Sequence, residues 1–123
     1  MSVEKLFIAM NTNDSAMLIS CFADSAIVQT INRNKNGELK IRNERFQDFA
    51  SFVAHAPKGS LDERITFDVV KVDDDLAIAW TPYSFYYNGK FSHCGVNSFQ
   101  LLRINNQWKI QYLIDTRRRE GCR

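Results

Sequence analysis

The tetrapeptide Tyr87-Asn88-Gly89-Lys90 constrains this chain more than any other stretch. Asn-Gly between alternating aromatic residues is the strongest short-range hairpin signal, because both turn residues must adopt positive φ. It predicts that Trp80–Tyr87 and Phe91–Ile104 are antiparallel neighbours, with Trp108–Arg118 as a third strand. A two-residue turn then fixes the pairing by counting outward. Tyr86 faces Phe91, Ser84 faces His93, Trp80 faces Asn97, Ile78 faces Phe99, and Leu76 faces Leu101. Alternation along a strand places all of these on one face. That face is apolar at the Leu76 end and carries His93, Asn97 and Trp80 toward the other. A core grading into a few polar groups is the one-dimensional pattern of a ligand pocket.

The earlier chain supplies helices. Val3, Leu6, Phe7 and Met10 fall on one helical stripe, and Asn11-Thr12-Asn13-Asp14 breaks it and offers a new cap. A second helix carries Leu18, Cys21 and Phe22 on one side before an Asp24-Ser25 turn. Ala26–Ile31 is β-branched enough for a strand, followed by a polar loop and a short extended piece at Glu38–Ile41. Asn43 is expected to cap a third helix with Phe46, Phe49, Ala50 and Val53 on its buried stripe, ending at Pro57 and Gly59. From Glu63 to Val72 the pattern is strand-like, with Ile65, Phe67 and Val69 alternating against Arg64, Thr66 and Asp68. Asp73-Asp74-Asp75 lacks the spaced acids, central Gly and terminal Glu of a calcium loop and reads as a hairpin turn. Helices early and strands late give an α+β domain: a cone-shaped, curved antiparallel sheet with the N-terminal helices packed on its concave face. Pro82 fits a bulge or bend within a strand. No linker or repeat divides residues 1–123, so one domain is expected.

Composition narrows the partners. With 45% hydrophobic and 24% charged residues the chain is ordinary for a globular protein. Four Arg and one Glu in the last seven residues (Arg117, Arg118, Arg119 and Arg123) hold a net +3, leaving −1 for the rest of a chain whose total is +2. A near-neutral body argues against a nucleic-acid partner, and the short basic run does not alter that. No secretory signal is read at Met1-Ser-Val-Glu-Lys and no stretch approaches a membrane span, so neither a membrane partner nor export is expected. Cys21, Cys94 and Cys122 are an odd number at unhelpful spacings, which predicts reduced thiols, a cytoplasmic location and no metal. No cofactor is expected.

The element order, the string Gly89-Lys-Phe-Ser-His-Cys-Gly-Val-Asn-Ser-Phe-Gln-Leu101, and then Gln107-Trp-Lys-Ile110 and Asp115-Thr-Arg-Arg118 resemble the nuclear transport factor two-like superfamily. This is the cone fold shared with ketosteroid isomerase and the polyketide cyclases. Within it the chain looks like small bacterial single-domain members of lumazine-binding type. The isomerase pattern of an Asp base with acidic oxyanion donors cannot be placed here residue by residue. The resemblance therefore implies a fold, and one fold hosts many functions.

The candidate ligand-binding residues are Trp80, His93, Asn97 and Tyr112, with Phe49 and Phe22 closing the pocket from the helix side. His93 titrates near neutrality, Asn97 can fix a carbonyl or heterocycle, and Trp80 can stack on a planar ligand. His93 and Cys94 point to opposite faces and form no nucleophile–base pair. Asp115 is open: a two-residue turn at Asn105-Asn106 sends it outward, whereas a three-residue turn or a bulge brings it in beside His93. Three readings follow. The first is a binding module for a small apolar or aromatic molecule. The second is a proton-transfer enzyme (isomerase, dehydratase or cyclase) with His93 as acid or base and Asp115 orienting it. The third is a non-catalytic interaction domain. The opposite face of the first hairpin, with Tyr83, Phe85 and Val96, is aromatic-rich as well, which predicts a homodimer joined through the outer sheet face.

Overall fold

The computed structural model describes residues 2–122, so Arg123 of the basic run lies outside them. Helices α1 (Ser2–Asn11) and α2 (Ser15–Ser20) lead into strand β1 (Phe22–Arg33), the hairpin partner β2 (Leu39–Glu44) and helix α3 (Phe46–His55). Five strands follow: β3 (Leu61–Ile65), β4 (Val69–Asp73), β5 (Leu76–Tyr87), β6 (Lys90–Ile104) and β7 (Gln107–Thr116). They form one sheet in the order β2-β1-β7-β6-β5-β3, with β4 also paired to β5. The Glu63–Val72 strand expected from the sequence is thus two strands, which share β5 end to end. Pro82 sits at their junction, where the chain leaves the ladder between Ile65 and Val69 and a missing N–H is tolerated. One expected feature differs in sense: β1 joins β7 in parallel, although every other pairing is antiparallel.

The helices cover the concave side as their stripes predict. Val3, Leu6, Leu18, Val53, Phe99, Leu101 and Ile110 are all buried in one core. Phe7 meets Phe99 edge-on at 6.3 Å, and Phe22 stacks on Phe46 at 5.0 Å. Asp14 caps α2 by accepting from the Met17 N–H at 3.0 Å. Asn43 does not cap α3; it lies in β2 and accepts a hydrogen bond from Gln29, while Arg45 occupies the cap position without a side-chain bond. Phe22 and the Asp24-Ser25 pair belong to β1, which is irregular between Phe22 and Ile27.

Asn88-Gly89 and Asn105-Asn106 are both two-residue turns with positive φ at each residue, and Asp74-Asp75 closes the β4–β5 hairpin. Yet neither long hairpin keeps the register its turn sets. Between Phe85 and Tyr86 the β5–β6 pairing slips by one residue, so Phe85 faces His93 and Thr81 faces Asn97. The β6–β7 pairing slips between Gln100 and Leu101, so Asn97 faces Asp115. Each bulge inverts the facing of one strand against the other beyond it. The inner face of β5 is therefore Ala77, Ala79, Thr81 and Tyr83, all buried, and Leu76, Ile78 and Trp80 turn outward. Tyr83 and Phe85, expected on the outer patch, belong to the interior.

Two of the three thiols expected to be reduced are paired. Cys94 on β6 and Cys122 in the C-terminal tail form a disulfide, and Cys21 is the free, buried one. No helix among the described residues is long and apolar enough to cross a membrane.

Candidate functional site

Between the sheet and helices α1 and α3 lies a hollow of two adjoining lobes, about 60 Å³ and about 180 Å³. The smaller is walled by Leu6, Phe7, Val28 and Leu113; the larger by Phe52, Leu61, Phe85 and His93. Met10, Phe49, Glu63, Asp115 and Arg117 border both. A larger hollow of about 390 Å³ lies on the outer face between Trp80, Val96 and Arg118. The inner hollow is the better candidate because part-buried, hydrogen-bonded carboxyls, Glu63 and Asp115, border it.

Glu63 enters from β3, on the same side as Leu61 and Ile65. Asn97, 4% exposed, donates from Nδ2 to Glu63 Oε2 at 2.7 Å. The residue as a whole keeps some solvent contact, yet its carboxyl is desolvated. Burial pushes its pKa up to about 7, with the Asp115 charge adding to the rise and the Asn97 bond and Arg117 opposing it. Asp115 enters from β7. Its Oδ1 accepts from Thr30 Oγ1 at 2.7 Å, and its Oδ2 accepts from the Tyr83 hydroxyl at 3.2 Å and from Arg117 Nε at 3.4 Å. Tyr83 also donates to the Thr116 carbonyl at 2.6 Å. Burial, then the charges of Asp115 and Glu63, raise the Tyr83 pKa, so the hydroxyl keeps its proton and remains a donor. Thr81, fully buried opposite Asn97, has a hydroxyl with no hydrogen-bond partner among the described residues.

His93 is half-buried inside the larger lobe, edge-on to Tyr83 at 5.7 Å and tilted against Phe85 at 5.1 Å. Burial, reinforced by Arg117, lowers its pKa, so it is neutral at pH 7. It shares the lobe with Asp115, but among the described residues no hydrogen bond joins them; His93 Nδ1 meets Ser92 Oγ at 3.1 Å instead. The expected dyad is not assembled, because Thr30, Tyr83 and Arg117 occupy the Asp115 oxygens.

The four expected pocket residues divide evenly. His93 and Asn97 face the hollow. Trp80 lies on the outer face at 45% exposure, carried there by the β5–β6 bulge. Tyr112 also lies outside, paired with Gln100, and its hydroxyl donates to Gln29 Oε1 at 2.6 Å. Phe49 does border the hollow, whereas Phe22 is buried against Phe46 away from it.

Glu63, Thr30, Tyr83 and Arg117 were missed. The signal for Glu63 lay in the sequence: it falls in phase with Leu61 and Ile65, an acid on the apolar side of a strand. Arg117 follows from Asp115 by the same period of two.

No family profile matches the chain, and no curated protein matches it in sequence. Solved structures do. An NTF2-like protein of unknown function from Shewanella baltica superposes with a TM-score of 0.72 at 14% identity, over 95% of this chain and 88% of that one. An NTF2-like protein of unknown function from Silicibacter pomeroyi gives 0.67 at 19% identity, over 95% and 90%. A candidate dehydratase of the NTF2-like family from Streptomyces avermitilis gives 0.67 at 15% identity, over 95% and 91%. At these identities the likeness shows the fold: this chain has the NTF2-like cone.

Proposed function

We propose that the protein binds a small, largely apolar molecule in its cone and exchanges a proton with it at Glu63. The observation that carries this is the desolvated Glu63 carboxyl, bonded to the Asn97 amide at 2.7 Å and bordering a hollow that also holds Asp115, Arg117 and His93. Burial there pushes its pKa up to about 7. Such a group is half-protonated at working pH, which suits both accepting and returning a proton. Asp115 is held by three donors, and its charge adds to the rise that burial gives Glu63. Neutral His93 can donate to or accept from the polar edge of the same ligand. The lobes are smaller than the roughly 300 Å³ at which drug-sized pockets begin, which favours a molecule of one or two rings. The fold likeness to a candidate dehydratase is in keeping with proton transfer but assigns no substrate.

The test is a thermal-shift screen of heterocycles (including pteridine- and lumazine-type flavin precursors) and polyketide-like aromatics. Saturation at a hundred times Kd adds about 2.7 kcal/mol of stability. Any binder is then incubated in D₂O. Deuterium entering an acidic C–H position with wild type but not with Glu63→Gln supports proton transfer. Binding without exchange supports the plain binding module.

We also propose a homodimer across the outer sheet face, now on different residues. Leu76, Ile78 and Ile27 are 49%, 41% and 50% exposed there. A second copy related by a two-fold axis would cover them. Sedimentation equilibrium of wild type against Ile78→Glu decides it; a monomeric wild type removes the proposal.

A further inference from the structure

The Cys94–Cys122 disulfide has no part in the chemistry proposed for Glu63, yet it ties down the segment that supplies the other half of the site. Beyond Asp115 the last strand keeps its register. Arg118 and Cys94 exchange both backbone N–H···O bonds at 2.8 Å. The Val96 N–H donates to Thr116 Oγ1 at 3.1 Å. Gly95 makes this approach possible, because a Cβ there would collide with the Thr116 carbonyl. Between these two anchors Arg117 turns inward. Its Nε lies 3.4 Å from Asp115 Oδ2 and its Nη2 lies 3.4 Å from Thr30 Oγ1. Both contacts are long, so they depend on where the backbone of the tail is held. The chain then reverses at Gly121, φ 69°, and Cys122 returns to Cys94.

We propose that this disulfide is a thiol-operated clamp on the cone. Small thiols open it, the tail past Thr116 lifts from β6, and Arg117 withdraws from Asp115 and from the hollow. The functional consequence rests on the proton-transfer reading: Arg117 opposes the protonation of Glu63, so releasing it favours the neutral acid. Cys94 is 3% exposed and Cys122 is more open, which directs attack to Cys122. A small thiolate forms a bond to Cys122 Sγ, the bond to Cys94 breaks, and Cys94 leaves as a thiolate that takes a proton. A second small thiol attacks its partner on Cys122, releases that cysteine as a thiol, and departs as the small-molecule disulfide. The protein has gained two electrons and two protons, and two small thiols have been oxidised. Cys21 stays out of the exchange, since burial raises its pKa and keeps it a thiol. Where small thiols are abundant, as in a cytoplasm, the clamp stands open; where disulfides persist it stands shut.

The experiment uses the full chain purified without reductant, before and after treatment with reduced glutathione. Alkylation under denaturing conditions should count one reactive cysteine before and three after. Amide hydrogen exchange at Cys94, Val96 and Arg118 should speed up by about tenfold or more, with helix α1 unchanged as the internal control. The ¹³C-detected titration of Glu63 should move to higher pH. Cys122→Ser, which cannot form the bond, should match the reduced protein in both respects. Three reactive cysteines before treatment, persisting after oxidised glutathione, would overturn the clamp. So would exchange that is the same in oxidised, reduced and Cys122→Ser protein. A Glu63 midpoint near 4.5 in both redox states instead removes the proton-transfer reading, and the exchange rates still decide the clamp.

Discussion

Glu63 and Asp115 border the same hollow, and the protein treats them in opposite ways. Asp115 receives two hydroxyl donors and an arginine, so both of its oxygens are held in place. Glu63 receives one neutral amide and is left beside the Asp115 charge in a desolvated corner, which favours the neutral form. One carboxyl is thus pinned by donors on both oxygens, and the other is pushed toward its neutral form. The difference is supplied by their neighbours, and the proton-transfer proposal rests on it.

Replacing the titrating acid should break that contrast most visibly. Glu63 is raised from 4.5 to about 7 on folding, so its protonated form is the one the fold prefers. Its contribution to stability is complete below pH 4.5 and is lost as pH rises through 7. A shift of that size corresponds to about 3 kcal/mol. Glu63→Gln should therefore unfold at higher urea than wild type at pH 8, with the gap closing by pH 4. A gap that does not depend on pH means Glu63 is ionised in the native state. Asp115→Asn should come next. It weakens two charge-assisted bonds at a cost of about 2 kcal/mol, and it removes a charge that raises Glu63, so the Glu63 midpoint should fall. A smaller loss, about 1 kcal/mol, is expected for Tyr83→Phe, which deletes one hydroxyl bonded to both Asp115 and Thr116. Arg117→Gln should hardly alter stability, because the Arg117 side chain is 39% exposed and solvent screens the pair. Its effect should appear in the Glu63 midpoint, moved upward. An unmoved midpoint would show that Arg117 does not act on Glu63.

Much of the fold was legible because its signals are local. The Asn-Gly turn, the helix stripes and the Asp14 cap all depend on residues within a few positions of each other. The site was less so, because it depends on parity carried along strands. His93, Asn97, Phe99 and Leu101 were assigned to the inner face and are there, since they alternate along β6 alone. Their β5 partners were displaced by one extra residue, Ser92, and β7 by another, Gln111. Size misled as well. Leu76, Ile78 and Trp80 look like core beside Ala77, Ala79 and Thr81, but the small set is inside. Phe7 and Phe99 already fill that space, and larger residues on β5 would overpack it. Hydrophobic bulk is a poor guide to facing where a helix lies close to a sheet.

The parallel pairing of β1 with β7 bears on how the protein is made. Thr30 and Asp115 meet across 85 residues of chain, whereas β5, β6 and β7 are joined by two-residue turns. Loops that short close quickly, and the long closure must wait for its second end. The β5–β6–β7 meander is therefore expected to form first in refolding, and β1 to dock on β7 late. During synthesis β1 emerges together with its partner β2 and with α3, but its other partner, β7, follows only after β3 to β6. Until β7 and the Arg117 that follows it are in place, the hollow lacks the Asp115 carboxylate and the guanidinium that contacts it.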